Sequence, residues 1–140
     1  MSPAEEVLAD YRAAGLSLRG HPLQFLRTEL AKRNVAPAAS LAALPDGSTV
    51  SVAGIVLVRQ RPGTDKGITF ITLEDETGTA NLIVRMSVWN RYRQAAHGAT
   101  LLAAHGRLQR QGQVIHVLAT RLEDLSPWLE QLGSQSRDFR

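Results

Sequence analysis

The chain has 140 residues, 44% of them hydrophobic, enough for one compact domain with its own core. No apolar run approaches the roughly 20 residues of a membrane-spanning helix, and the acidic N-terminus does not resemble a secretory signal. The absence of cysteine excludes disulfides, thiolate metal sites and cysteine nucleophiles, and fits a cytoplasmic protein. Lys and Arg number 16 against 13 acids, and only Lys32 and Lys66 are lysines. Arginine suits phosphate contacts and base stacking, although a GC-rich genome would produce the same bias.

Residues 1–47 are predicted to form short helices. A capping box over Ser2–Glu5 begins the first helix, and Gly15 is placed to end it. A second helix is expected from Pro22 to about Asn34, and a short alanine-rich one between Pro37 and Leu44. These segments are amphipathic but too short to be stable alone, so we expect them to pack against another part of the protein.

From Ser48 onward the hydrophobic period changes to two, which indicates strands. A helix with Ser87 as N-cap and Gly98 as its end is expected between the third and fourth of them. Three strands, one helix and two strands is the order of the OB-fold, a five-stranded Greek-key barrel, so the predicted class is mainly β. The predicted domains are a helical segment at 1–47, the barrel at 48–126 and a C-terminal tail at 127–140, polar and mobile from Gly133. The predicted strands are Thr49–Gln60, Ile68–Asp75, Thr79–Arg85, Thr100–Arg110 and Gln113–Asp124.

Gly54 lies in the middle of the long first strand. A first strand that serves both halves of a barrel must bend sharply, and glycine marks such bends. An ordinary buried-strand glycine is the alternative.

The second strand separates two faces by alternation. Ile71 and Leu73 share the face expected in the core, whereas Phe70 shares the other with Thr72 and Glu74. An aromatic ring among polar neighbours is a candidate for stacking on a base. Alternatively, a loop or the N-terminal helices cover it.

The segment between the first two strands carries three cations, Arg59, Arg61 and Lys66, and its proline and glycines suggest a protruding loop. Loops at this position commonly flank the ligand groove of OB-folds, so these residues are candidate phosphate contacts. A solvated charged loop is the alternative.

A second basic group is predicted on the last two strands. If Gln111-Gly112 is a two-residue turn, Arg110 pairs with Gln113, and Arg107 lies opposite His116 on a polar face that also holds His105 and Gln109. Arg85, on the outward face of the third strand, extends this surface. The candidate nucleic-acid contacts are Arg59, Arg61, Lys66, Phe70, Thr72, Arg85, Arg107, Arg110 and His116, each of which is alternatively a plain surface residue.

Catalysis has little support in the sequence. Glu74, Asp75 and Glu76 are consecutive, so they do not converge as a two-metal site requires. The four histidines lack ligand spacing, and no phosphate loop or nucleophile elbow is present. We therefore expect no catalytic residue, metal or cofactor in this chain.

Three runs of residues carry a family resemblance: VAGIVLVRQRPGTDKGITFITLEDETGTANLIV, WNRYR and GRLQRQGQVIHVLATRLEDLS. Together they closely resemble the C-terminal OB domain of bacterial error-prone DNA polymerases, C-family enzymes related to the replicative polymerase III alpha subunit. A weaker similarity, mainly in FITLED, links the chain to the anticodon-binding domain of aspartyl-type tRNA synthetases, where the phenylalanine matching Phe70 stacks on a base. The basic residue often found four positions later in that family is Glu74 here.

The resemblance implies a non-catalytic fragment, since the polymerase active site lies in an upstream palm domain. The leading hypothesis is a module that binds single-stranded template DNA during damage-induced translesion synthesis and repair, in contact with the upstream polymerase domains. The alternative is a protein-interaction module for other mutagenesis or replication factors, with an apolar patch on the N-terminal helices or around Trp89 and Trp128. No membrane partner is expected.

Overall fold

The computed structural model describes residues 2–13, 21–61 and 67–138. Strands and helices follow one another much as the sequence predicts. The strands are β1 (Thr49–Gln60), β2 (Ile68–Asp75), β3 (Gly78–Arg85), β4 (Leu101–Gln111) and β5 (Val114–Asp124). The helices are α1 (Pro3–Ala13), α2 (Pro22–Lys32), a 3-10 helix (Ala38–Ala43), α3 (Met86–Arg91), α4 (Arg93–Gly98) and α5 (Ser126–Asp138).

The strands form a closed barrel in the order β1–β2–β3–β5–β4. Neighbouring strands are antiparallel except β3 and β5, which run parallel where Leu82 meets Val117 and Ile83 meets Leu118. With helices between β3 and β4, this is the predicted OB-fold, and each strand begins and ends within one residue of its predicted bounds. None of the helices in the described ranges is long and apolar enough to cross a membrane.

Gly54 sits where β1 changes partners, at the position predicted for a bend. Residues Thr49–Ile55 of β1 pair with β4, and pairing with β2 begins at Ile55. A Cβ on Gly54 would lie 2.7 Å from the backbone oxygen of Glu74, closer than real contacts allow. Glycine is therefore required at this position because β2 passes directly over it.

Two hydrophobic clusters hold the protein together. One fills the barrel, with Ile71, Leu73 and Leu82 almost fully buried. The second lies outside the barrel, where the helical segment packs on the outer surface of β1 and β4. Ile55 and Leu101 belong to this second cluster, so the first strand is buried on both of its faces. The predicted packing of the short helices is thus confirmed.

The helical segment begins as predicted. The backbone N–H of Glu5 donates to Ser2 Oγ at 3.1 Å, and the N–H of Ser2 donates to the Glu5 carboxylate at 3.2 Å, which completes the capping box. α2 begins at Pro22, and its predicted end near Asn34 agrees with the left-handed backbone of that residue (φ 63°). The predicted role of Gly15 lies outside the described residues.

The helix predicted after β3 is wrong in two respects. It divides at Tyr92, whose backbone leaves the helical region (φ −115°, ψ 40°), and Arg85, not Ser87, occupies the N-cap position. The predicted polar tail from Gly133 belongs to a helix, because α5 continues to Asp138. Leu129 anchors that helix in the second cluster with no exposed surface, and Gly133 lies against Val7 of α1.

Candidate nucleic-acid interface

The outward side chains of the barrel form one continuous surface beside the helical segment. Strand alternation sends Phe70, Thr72 and Glu74 outward and Thr69, Ile71 and Leu73 inward, as predicted. Their cross-strand partners share the same side of the sheet. We call this surface the Phe70 face: Val58, Gln60, Phe70, Thr72, Asn81, Ile83, Arg85, Arg107, Gln109, His116 and Leu118.

Phe70 occupies the middle of this face. It pairs with Gln60 on β1 and Ile83 on β3, and its ring lies 6.2 Å from the His116 ring at an angle of 53°. The Phe70 side chain is half-buried. The strand residues of the second hydrophobic cluster belong to β4 and to the middle of β1, away from Phe70. Two neighbouring rings on an outward face are a platform on which a base can stack.

The neighbours of Phe70 along β2 are held in defined positions. The Thr72 hydroxyl donates to the side-chain oxygen of Asn81 at 3.1 Å. Glu74 bonds His21 Nε2 at 3.2 Å, while His21 Nδ1 accepts the N–H of Leu23 and so caps α2. Because Nδ1 accepts, the neutral ring carries its proton on Nε2 and donates it to Glu74. The residue that departs from the synthetase pattern therefore ties the barrel to the helical segment.

The hairpin between β4 and β5 differs from its predicted register. Gln111 pairs with Val114, which leaves Gly112 and Gln113 as the two-residue loop. Gly112 has a positive φ of 62°, and glycine at the first central position is the feature of a type II′ turn. Predicted pairing of Arg110 with Gln113 is therefore wrong.

The changed register gives the residues of β4 different partners on β5, but the predicted polar residues of the hairpin still share one side of the sheet. Arg107 lies opposite Leu118 rather than His116, and Gln109 lies opposite His116. Arg107 and Arg85 are both exposed on the Phe70 face, where they give it a positive charge. His105 is on the same side of β4 but is half-buried, with Nδ1 at 2.6 Å from the Ser51 hydroxyl and Nε2 at 3.6 Å from Glu123. Burial, followed by the charge of Arg121, lowers the pKa of His105.

Two of the predicted phosphate contacts have structural partners. Arg59 lies opposite the inward-facing Ile71 and so is on the inner side of β1. It donates from Nε to Ala96 O and from Nη2 to Ala99 O, both at 2.6 Å. Arg110 donates from Nη2 to Ala42 O at 2.6 Å and Leu44 O at 2.9 Å. Neither guanidinium lies on the Phe70 face. Arg59 fastens the end of α4 to β1, and Arg110 fastens the segment before β1 to the hairpin.

The remaining predicted cations lie at the loop between β1 and β2. Arg61 lies over the Trp89 ring, with its guanidinium carbon 5.1 Å from the ring centroid, and its Nε donates to Thr69 Oγ1 at 3.4 Å. Lys66 lies outside the described residues. The structure thus brings Phe70, Thr72, Arg85, Arg107 and His116 onto one surface and places Arg59, Arg61 and Arg110 elsewhere.

The acidic residues at the end of β2 fix the helical segment to the barrel. Arg27 donates to both Glu76 oxygens at 2.7 Å and to Asp75 at 3.1 Å. The bond from Arg27 lowers the pKa of Glu76. Asp75 is buried and also accepts the N–H groups of Ala38, Thr77 and Gly78. In the described part of the chain no three acidic or histidine side chains are grouped so as to hold a metal ion.

Sequence reasoning missed part of the Phe70 face. Ile83 lies two residues before Arg85 in β3, so the alternation that predicts an outward Arg85 also predicts an outward Ile83. Leu118 joins the face only through the parallel pairing of β3 with β5, a long-range contact that no local pattern indicates.

A closed barrel of this strand order, with helices between β3 and β4, defines an OB-fold protein. The family described as OB-fold nucleic acid binding domain matches residues 50–125, and the chain belongs to that family. It is 55% identical over 136 residues to an error-prone DNA polymerase of Azoarcus sp. (strain BH72), covering 97% of this chain and 13% of that protein. It is 52% identical over 135 residues to the error-prone DNA polymerase of Caulobacter vibrioides, covering 96% of this chain and 12% of that protein. The chain thus spans about an eighth of the relatives it matches.

Solved structures share the fold at low identity. Asparaginyl-tRNA synthetase from Pyrococcus horikoshii, complexed with asparaginyl-adenylate, superposes with a TM-score of 0.55 at 19% identity, over 65% of this chain and 22% of that one. Aspartyl-tRNA synthetase from Entamoeba histolytica gives 0.52 at 11% identity, over 63% and 20%. These similarities show the fold alone. The likeness to error-prone polymerases drawn from the motifs is confirmed by the relatives.

Proposed function

We propose that this OB domain binds single-stranded DNA across the Phe70 face, as part of an error-prone DNA polymerase acting in translesion synthesis and repair in the cytoplasm. The observation that carries the proposal is the outward Phe70 ring beside His116, on a face with two exposed arginines. Stacking on such a ring tolerates any base, because every base has a π-face. This tolerance suits a domain that must hold damaged template.

The charges of the face support the same function. Arg85 lies on β3, the neighbour of the Phe70 strand, and Arg107 lies on β4, beyond β5. Both side chains are available to contact phosphates of a strand whose base stacks on Phe70. Glu74 is the acidic residue nearest along β2, and its carboxylate is bonded to His21. Arg59 and Arg110 act as positioning residues, because their guanidinium groups hold backbone carbonyls.

In this proposal the domain keeps the template strand bound to the polymerase. We assign no step of nucleotide transfer to it, because the relatives extend over some seven-eighths of their length beyond this region. The helical segment, tied to the barrel through Arg27 and His21, fixes the orientation of the Phe70 face relative to the upstream domains.

Anisotropy titrations of a fluorescent oligo-dT strand test the proposal. Phe70→Ala should weaken binding about 5- to 150-fold, the equivalent of roughly 1–3 kcal/mol per stacked base. Phe70→Trp should restore it. Phe25→Ala is the matched control, since this phenylalanine lies 52% exposed on α2. Equal affinity of Phe70→Ala and the wild-type domain would refute stacking on this face, and no binding at low salt would refute the function.

A further inference from the structure

A second basic site lies at the end of the barrel, off the Phe70 face. A cleft of about 660 Å³ opens between the ends of β1 and β2 and the helices α3 and α4. Its volume is within the roughly 300–1,000 Å³ of small-ligand sites. We call it the Arg93 cleft; its lining in the described part of the chain is Arg59, Arg61, Thr69, Trp89, Arg93 and His97.

The side chains of the Arg93 cleft are arranged for an anion. Three guanidinium groups and an imidazole share the cleft, and none of its described lining residues is acidic. Arg59 donates hydrogen bonds from Nε to the carbonyl of Ala96 and from Nη2 to the carbonyl of Ala99. Burial lowers the pKa of Arg59, and the charge of Asp124 partly offsets that effect. A guanidinium kept in this desolvated position is stabilised by a bound anion.

Trp89 is better placed to orient these cations than to stack on a base. Arg61 already covers the indole, with its guanidinium carbon 5.1 Å from the ring centroid. The His97 ring meets the same indole edge-on, with centroids 6.4 Å apart. The cleft therefore presents charge and hydrogen-bond donors rather than a free aromatic surface, which favours a phosphate group over a base.

The cleft adjoins the Phe70 face through two pairs of neighbouring residues. Thr69 points into the cleft, and Phe70, the next residue of β2, points to the face. On β1, Arg59 likewise lines the cleft, and Gln60, the next residue, belongs to the Phe70 face. A strand that stacks on Phe70 and passes around this end of the barrel reaches the cleft without crossing the helical segment.

We propose that the Arg93 cleft binds a backbone phosphate of the same DNA strand that crosses the Phe70 face. This inference rests on the proposed function. It adds Arg93 and His97 to the interface, and it gives the helices between β3 and β4 a part in holding DNA.

Salt dependence of oligo-dT binding tests the cleft. Each phosphate contact contributes roughly 0.7 to the slope of log affinity against log salt for single strands. Arg93→Gln should lower the slope by about 0.7. Arg91→Gln, which removes the same charge from an exposed residue stacked on Tyr92, is the matched control and should change the slope far less. Phe70→Ala should weaken binding with little effect on the slope.

Trp89 emission gives a second readout in a Trp128→Phe background, with the oligonucleotide and inorganic phosphate as separate ligands. An emission change with the oligonucleotide that Arg93→Gln abolishes supports the proposal. If the strand binds and Phe70→Ala weakens it, but Arg93→Gln behaves as Arg91→Gln, the cleft is overturned and the proposed function stands. If no strand binds, the proposed function fails; an emission change with inorganic phosphate alone would then mark a free-phosphate site and overturn the assignment to DNA.

Discussion

Gly54→Ala tests whether the barrel depends on the close crossing of β1 and β2. A Cβ at this position would lie 2.7, 2.8 and 2.9 Å from the backbone O, N and C atoms of Glu74. Because these are backbone atoms, relief requires a shift of β2 itself. Overpacking of this kind costs about 1–3 kcal/mol, whereas Gly→Ala at a compatible site adds about 0.4–1 kcal/mol of stability.

Gly98→Ala supplies the control, since in the described part of the chain the Cβ it would add meets no atom within 4 Å outside its chain neighbours and its own helix backbone. We expect Gly54→Ala to lower the free energy of unfolding by roughly 1–3 kcal/mol in urea. At roughly 2–4 °C per kcal/mol for a domain near this size, the melting temperature should fall by about 2–12 °C. Gly98→Ala should be neutral or slightly stabilising. Equal stability of the two variants would show that β2 gives way without cost and that the crossing does not constrain the barrel.

Three further perturbations have definite expected outcomes. Leu129→Ala should cost about 2–5 kcal/mol in urea unfolding, because the side chain is fully buried; almost no change would show that α5 does not pack in the second hydrophobic cluster. Glu76→Gln should flatten the acid side of the stability profile below about pH 4.5, since the Arg27 bond lowers the folded pKa of Glu76 and its stabilisation is lost as pH falls through that pKa. His105→Gln should reduce the stability loss that begins below about pH 6.5, where the unfolded chain takes up a proton that the buried ring resists. An unchanged pH profile in either variant would contradict the corresponding pKa shift.

The alternation of hydrophobic and polar residues was sufficient to predict the strands of the barrel, because burial alternates regularly along them. In β2 the burial pattern alternates residue by residue, so one reading of the sequence determined both the core position of Ile71 and the outward position of Phe70. Gly54 was also recognisable, because a glycine inside a strand often marks a bend or the close approach of another backbone. These features depend on neighbours along the chain.

The structure departs from the predictions in α3 and α5, where contacts distant in sequence override local preference, and in the hairpin, where the turn itself is shifted. Ser87 is a good capping residue, yet α3 begins two residues earlier than this cap would place it, and Tyr92 interrupts the helix and packs on the barrel. The polar sequence after Gly133 has no strong apolar stripe, and α5 is held in part by Leu129 against the helical cluster. In the hairpin, Gly112 is the first loop residue, with a positive φ, rather than the second as predicted, so the pairing of the two strands is shifted.

Glu74 shows how one strand can serve both the helical segment and the binding surface. The outward side of β2 carries Phe70 and Thr72 toward the candidate DNA site, and the next outward position meets His21 at the start of α2. A basic residue here would lose that bond and leave the His21 Nε2–H without its carboxylate partner. The acidic residue therefore belongs to the attachment of the helical segment. Glu74 lies further along β2 than Phe70, so it does not form part of the stacking position. That position is formed by Phe70 and His116, with the two exposed arginines on the same face.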